Sequence, residues 1–363
     1  MVQLVDPAGR LVDGWIRLHT NAPHHRDAAL AVLGVGADKE QVARAVAGWQ
    51  ADALETAVVE HQGCAAAMRS AQAWVAHPQG RSVAAQPLLT VQSMADGAAS
   101  QWAPTRERPL AGVRVLDLTR ILAGPVATRV LAGYGAQVLR IDPPDWDEPV
   151  VAPEITLGKR CARLDLRDAG DKAVFIELLR QADVLVHGYR ADALDRLGFD
   201  ADTRRRIRPG LIDVSLNAYG WDGPWQYRRG FDSLVQMSTG IADAGMRVFG
   251  ADKPMPLPVQ ALDHATGYLM AAAVVRGLTQ RMRTGHGFQA RASLARTAQL
   301  LLSVVPQPAG TGMEGARDSD YAPEIEASAF GPAHRLMPPL AIAQAPMRWD
   351  TPATQLGSSP AAW

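Results

Sequence analysis

A chain of 363 residues, 47% hydrophobic and 20% charged, is long enough to bury the cores of about two domains, which excludes a disordered or fibrous protein. Lysine plus arginine (37) equals aspartate plus glutamate (37), so no global basic field exists to hold nucleic acid or an anionic membrane. Two cysteines, Cys64 and Cys161, stand far apart without CxxC spacing; they write neither a disulfide scaffold nor a zinc site and fit a reducing, cytoplasmic setting.

The opening MVQLVDPAGR lacks the basic-then-apolar order of a secretory signal, and the longest apolar run, Tyr268–Val275, is far short of the roughly eighteen residues of a membrane span. Residues 1–81 begin with a strand-like DGWIRLHT (Asp13–Thr20) and continue through three stretches with apolar residues at helical spacing, which predicts a small α+β lobe. From 82 to 108 the periodicity dissolves into Gln, Ser, Ala and Pro, the pattern of a linker. From 109 to 305 strands alternate with helices: strand Gly112–Leu118, helix Ala123–Tyr134, strands Ala136–Asp142 and Arg160–Leu166, helix Ala169–Gln181, strand Asp183–Gly188, helix Ala191–Leu197, strand Leu211–Gly220. Such alternation implies βαβ units on an open parallel sheet, an α/β large domain of Rossmann-like type. A helix over Asp263–Arg281, a tight turn at Gly285 and Gly287 and a strand over Phe288–Leu294 follow, and residues 306–363 form a tail.

Open parallel sheets bind ligands at the carboxyl ends of their strands. The first strand-to-helix loop, TRILAGP, holds one glycine, and Gly133–Gly135 lies before a strand, the wrong order for a dinucleotide fingerprint. No GxxxxGK[ST], HExxH or GxSxG occurs, so phosphate-loop, zincin and α/β-hydrolase readings lose their main support.

Seven separated segments, LAGVRVLDLTRILAGP (Leu110–Pro125), GAQVLRIDPP (Gly135–Pro144), KRCARLDL (Lys159–Leu166), ADVLVHGYRADALDRLGF (Ala182–Phe199), GWDGPW (Gly220–Trp225), GFDSLVQMSTG (Gly230–Gly240) and QALDHATGYLMAA (Gln260–Ala272), resemble, in order, the family III CoA-transferases. The resemblance implies that fold, an acyl-CoA and a small carboxylic acid as substrates, no permanently bound cofactor, and an interlocked homodimer or a homologous partner subunit whose contacts the segments Ser82–Arg108 and Pro306–Met337 would make. It places the nucleophile at Asp263, a carboxylate able to form a mixed anhydride and then an aspartyl-CoA thioester. Position alone would make Asp263 a helix N-cap, and His264 reads as a packed core histidine. Coenzyme A contacts are implied at Arg120, the loop Ile121, Leu122 and Ala123, Arg140, Gly188, Tyr189, Arg190, Arg196, Leu197 and Arg229; Gly188 stands where the family has an asparagine.

Two alternatives remain. A racemase of the same fold needs a histidine where Phe231 stands, beside an Asp232 that reads as a helix cap. A non-catalytic subunit is suggested by a small lobe that precedes the large one, where relatives insert it later, and by the lack of a matching glycine loop; the order reflects either rearrangement or the trailing part of a fused two-copy protein.

Overall fold

The computed structural model describes residues 13–95, 97, 102–304 and 315–363; the opening decapeptide, residues 96 and 98–101 of the expected linker and the start of the 306–337 segment lie outside the described residues. Two compact units emerge, each assembled from three stretches: 1–88, 217–262 and 293–304 in the first, 89–216, 263–292 and 305–363 in the second.

In the first unit the strands β1 (Ile16–Leu18) and β2 (Ala65–Ala67) pair antiparallel, with Ile16 opposite Ala67. Helices Pro23–Leu33, Lys39–Ala47 and Ala51–Glu60 follow β1, the second capped by Asp38, whose carboxylate accepts from the Gln41 N–H. Each helix buries an i,i+4 apolar pair against the strands: Ala29 and Leu33, Val42 and Val46, Leu54 and Val58. Truncating the fully buried Leu54 to alanine would cost about 2–5 kcal/mol. The stretch 217–262 joins this unit because Leu234, Met237 and Ala242 pack on Cys64 and Ala66. Buried Glu55 adds a polar tie, accepting from the Ala67 N–H, Arg69 and Arg228.

The second unit carries a seven-stranded sheet made of β3 (Thr90–Met94), β4 (Arg114–Leu118), β5 (Gln137–Asp142), β6 (Lys159–Arg163), β7 (Val184–His187), β8 (Ile212–Asn217) and β9 (Gly287–Ser293). Their order is β3-β9-β8-β7-β4-β5-β6; β6 to β8 through β5, β4 and β7 run parallel, and β3 pairs antiparallel to β9. Buried runs such as VLVH in β7 face apolar helices on both sides, which is why they carry no polar alternation. The α/β reading therefore holds.

The partition into 1–81, 82–108, 109–305 and 306–363 differs from these boundaries. Part of the expected linker is β3, held by β9 with Gln92 opposite Gln289, and the stretches 217–262 and 293–304 pack with the first unit. The described part of the tail holds a hairpin, β10 (Tyr321–Ser328) and β11 (Gly331–Leu336). Its last residues lie along their own unit: the Ser359 N–H donates to the Cys161 carbonyl, Trp349 Nε1 to that of Arg129 and Trp363 Nε1 to that of Leu178.

Candidate active site

The sheet order reverses between β4 and β7, and ligands of open α/β sheets sit at the carboxyl ends of strands at such a point. After β4 comes the loop Thr119–Leu122 and the helix Ala123–Gly133. Its N-cap is Leu122, which has no side-chain oxygen to give, so no side chain caps the helix. The first-turn N–H groups of Ala123 and Gly124 have no intrahelical acceptor, which makes a seat for an anion. A Cβ on Gly124 would fall 2.2 Å from Thr119 Cγ2, so only glycine lets the turn close there.

Asp117 anchors this turn from inside the sheet. Its carboxylate accepts from the Thr119 N–H, at 2.9 Å, and hydroxyl, the Thr128 hydroxyl and Lys159 Nζ, also at 2.9 Å, and Lys159 also donates to the Pro125 carbonyl. Burial opposes the charge on Asp117, but Lys159, Arg140 and the two threonines outweigh it and hold the carboxyl below its usual range.

Arg120 projects from the loop between two rings, 4.3 Å from the Trp146 centroid and 5.1 Å from that of Tyr189. Its Nη2 lies 3.4 Å from the Tyr189 hydroxyl. Arg120 Nε and Trp146 Nε1 are buried with no acceptor among the described residues. Tyr189 comes from the loop after β7, with half-buried Arg190 next to it. A Cβ on Gly188 would meet Leu216 at 3.3 Å and Thr119 at 4.0 Å, which shows how closely the two loops run.

Asp263, 7% exposed, is the third residue of the helix Ala261–Thr284. It is therefore not the N-cap. Asp232 of the first unit serves that end, accepting from the Leu262 N–H at 2.8 Å, and also binds Gln236; it caps a helix other than its own, which opens on Phe231. One turn beyond Asp263, and on the same face, a Cβ on Gly267 would stand 2.5 Å from the Ala123 carbonyl oxygen and 2.8 Å from Val126. The two backbones touch there, and Asp263 lies one turn, about 6 Å along its own helix axis, from that contact.

The other sequence candidates divide. Arg140 is fully buried, its fork donating to Asp142 at 2.8 and 2.9 Å and to Glu148 at 2.6 Å. Burial disfavours its charge, yet Asp142, Glu148 and Asp117 raise it above the ordinary arginine value. It reaches the loop only through Glu148, which accepts from the Ile121 N–H. Arg196 is exposed and paired with Asp192 one turn away, and Leu197 packs on the core beneath the sheet. Arg229 belongs to the first unit, where it donates to Gln62. Phe231, in the same unit, stacks on His19 at 3.8 Å with an interplanar angle of 5°. Burial, helped by Arg17, lowers His19 to about 4, so it is neutral at pH 7. Gly285 adopts φ +75° and ends the long helix before β9, as the turn reading expects. Sequence reasoning passed over Trp146, Glu148 and the Lys159–Asp117 pair. A cavity of about 380 Å³ lined by Gly135, Gln137, Arg160 and Asp350 lies at the opposite, amino ends of the strands and takes no part.

Residues 110–330 match the pattern of CoA-transferase family III. An acyl-CoA transferase of Gibberella moniliformis is 30% identical over 305 residues, which cover 77% of this chain and 53% of that one. An acetyl-CoA:oxalate CoA-transferase of Acetobacter aceti is 34% identical over 194 residues, 49% of each chain. A solved structure of a hypothetical protein from Mycobacterium tuberculosis, 32% identical, superposes with a TM-score of 0.51 over 54% of this chain and 58% of that one. The chain spans about half the length of these relatives. No helix among the described residues is long and apolar enough to cross a membrane.

Proposed function

Because the chain belongs to CoA-transferase family III, we propose that it moves coenzyme A between an acyl-CoA thioester and a small free carboxylic acid, with Asp263 as nucleophile. The Asp263 carboxylate attacks the thioester carbonyl carbon; the C–S bond breaks, CoA leaves as thiolate, and a mixed anhydride forms. The thiolate attacks the Asp263 carbonyl carbon, releasing the donor carboxylate and leaving an aspartyl-CoA thioester. The acceptor carboxylate attacks that thioester, and the thiolate expelled then takes the acceptor acyl group, restoring Asp263. No net proton is needed, so neither His264 nor neutral His19 has to act as a base.

The observation that carries this reading lies in the second unit: buried Asp263 is one turn from the contact of Gly267 with Ala123, the first residue of a helix with no side-chain cap that follows the loop bearing Arg120. The helix start and Arg120 suit the diphosphate of the coenzyme, and Tyr189 and Trp146 offer flat surfaces to its base. Phe231 has no proton to move, which disfavours the racemase alternative. Coenzyme A and the acyl group arrive as substrates rather than as resident cofactors, and a homodimer or a homologous subunit is the proposed assembly. Incubation with a panel of acyl-CoA thioesters, followed by intact-protein mass measurement, tests the reading. Acyl or CoA adducts that vanish with hydroxylamine and in Asp263→Ala support it; no adduct with any thioester would overturn it in favour of a non-catalytic subunit.

A further inference from the structure

Ile121 has φ +63°, in the left-handed region where a β-branched side chain is a genuine outlier. A strained residue persists only where its surroundings over-determine it. Here the Ile121 N–H donates to Glu148 Oε1 at 2.7 Å, and Glu148 Oε2 accepts from Arg140 Nη2 at 2.6 Å. Arg140 is in turn locked to Asp142, and both Arg140 and Glu148 are buried, so the carboxylate has little freedom to move. On the other side of Arg120, Thr119 is fixed to Asp117 by its N–H and its hydroxyl. Arg120 therefore sits between two clamped backbone positions, and only the second holds a residue that would leave its conformation if released.

The segment that supplies Glu148 also supplies Trp146, whose ring covers the Arg120 guanidinium. Arg163, on β6, gathers this segment by donating to the carbonyls of Pro143, Pro144 and Trp146. One short stretch thus stacks on the side chain of Arg120 and fixes the backbone beside it.

We propose that Glu148, braced by Arg140, is a positioning residue: it holds residue 121 left-handed and so aims Arg120 and the open N–H groups of Ala123 and Gly124 at the phosphates of the substrate. This rests on the coenzyme A reading for its ligand, but the conformational half stands without it. Isoleucine makes the loop depend on the clamp. A glycine at 121 would visit φ +63° unaided and remove that dependence.

The test is a double-mutant cycle on the full chain, with free coenzyme A as the probe in calorimetry and crystal structures of the ligand-free variants as the second readout. Glu148→Ala should weaken binding about tenfold or more in the Ile121 background, and by less than about threefold when Ile121→Gly is already present. In the crystal, residue 121 should leave the left-handed region in Glu148→Ala and return to it in the double variant. Equal losses in both backgrounds, or an Ile121 that keeps φ near +63° without Glu148, would overturn the proposal. If the parent protein binds no coenzyme A, the functional reading fails, and the crystallographic comparison still decides the positioning role. Should Glu148→Ala not fold, Glu148→Gln, which keeps an acceptor oxygen without the charge, replaces it. A deficit cured by Ile121→Gly, or no deficit at all, then upholds the proposal, and an uncured deficit overturns it.

Discussion

Replacing Lys159 with methionine would leave Asp117 charged and buried without the cation that hydrogen-bonds it, with only the field of Arg140 remaining. Both side chains are fully buried and meet at 2.9 Å. Removing one partner of such a pair costs about 3–5 kcal/mol, because the remaining charge has no water to turn to. Asp117 keeps the Thr119 N–H and the Thr119 and Thr128 hydroxyls, which favours the lower end, about 3 kcal/mol. For a unit of this size that lowers the melting transition by roughly 10 °C. The pH dependence has a definite sign. In the parent the folded carboxyl is held below its usual range, so its contribution is present above an unfolded value of about 3.9 and is lost as pH falls through the folded value. Without Lys159 the carboxyl takes up a proton at higher pH, which relieves the buried charge, so the deficit of the variant should shrink from pH 7.5 to pH 4.5. Asp117→Asn in the same chain should recover most of the loss. Calorimetry across that pH range is the assay. A deficit under about 1 kcal/mol, a deficit constant with pH, or a double variant worse than the single one would refute the reasoning.

Asp263→Ala should reduce turnover to below about one hundredth, a loss of more than roughly 3 kcal/mol, with coenzyme A affinity nearly intact by calorimetry. Arg120→Ala should weaken coenzyme A by about 1.5–3 kcal/mol, more than Arg196→Ala, whose exposed side chain is already paired with Asp192; equal effects would move the phosphate site toward Arg196. His19, depressed to about 4 by burial, binds its proton less readily folded than unfolded, so stability should fall as pH drops from about 6.5 toward 4, by at most about 3 kcal/mol. His19→Phe should reduce that slope while keeping the stack on Phe231, leaving the part due to His25, which burial lowers to about 3, as denaturant titrations at several pH values would show. The hairpin exposes Ile325, Phe330 and Leu336, and light scattering should find a dimer that Ile325→Glu with Leu336→Glu converts to monomer.

The parallel strands were legible because a strand covered on both faces is a run of buried apolar residues, and the helix Ala169–Gln181 matched to the residue because Asp168 announces its start by accepting from the Gly170 and Asp171 N–H groups. β3 was not legible. TVQSM is an exposed edge strand in a polar stretch, and what makes it a strand is a partner far along the chain. The start of the Asp263 helix was misread by two residues because its cap comes from Asp232, which no local pattern can reveal. Arg140 carried a usable signal: an arginine inside a doubly covered strand must be paired within the protein. The partner, Glu148, lies in a loop without periodicity, so the sequence could say that a carboxylate was required but not which one.

The pairing of β3 with β9 also bears on how the chain is made. Gln92 and Gln289 face each other across about two hundred residues of intervening chain, so β3 leaves the ribosome long before its mate exists. At synthesis rates of about 5–20 residues per second, that interval is roughly 10–40 s. During it the nascent chain can assemble β4 to β8, whose neighbours are close in sequence, while TVQSM trails unpaired and open to other strands. The polar Gln92 and Ser93 and the shortness of the strand suit a segment that must wait without sticking. Slowed translation, or stalling before β9 emerges, accordingly lengthens the time for which this strand stands unpaired.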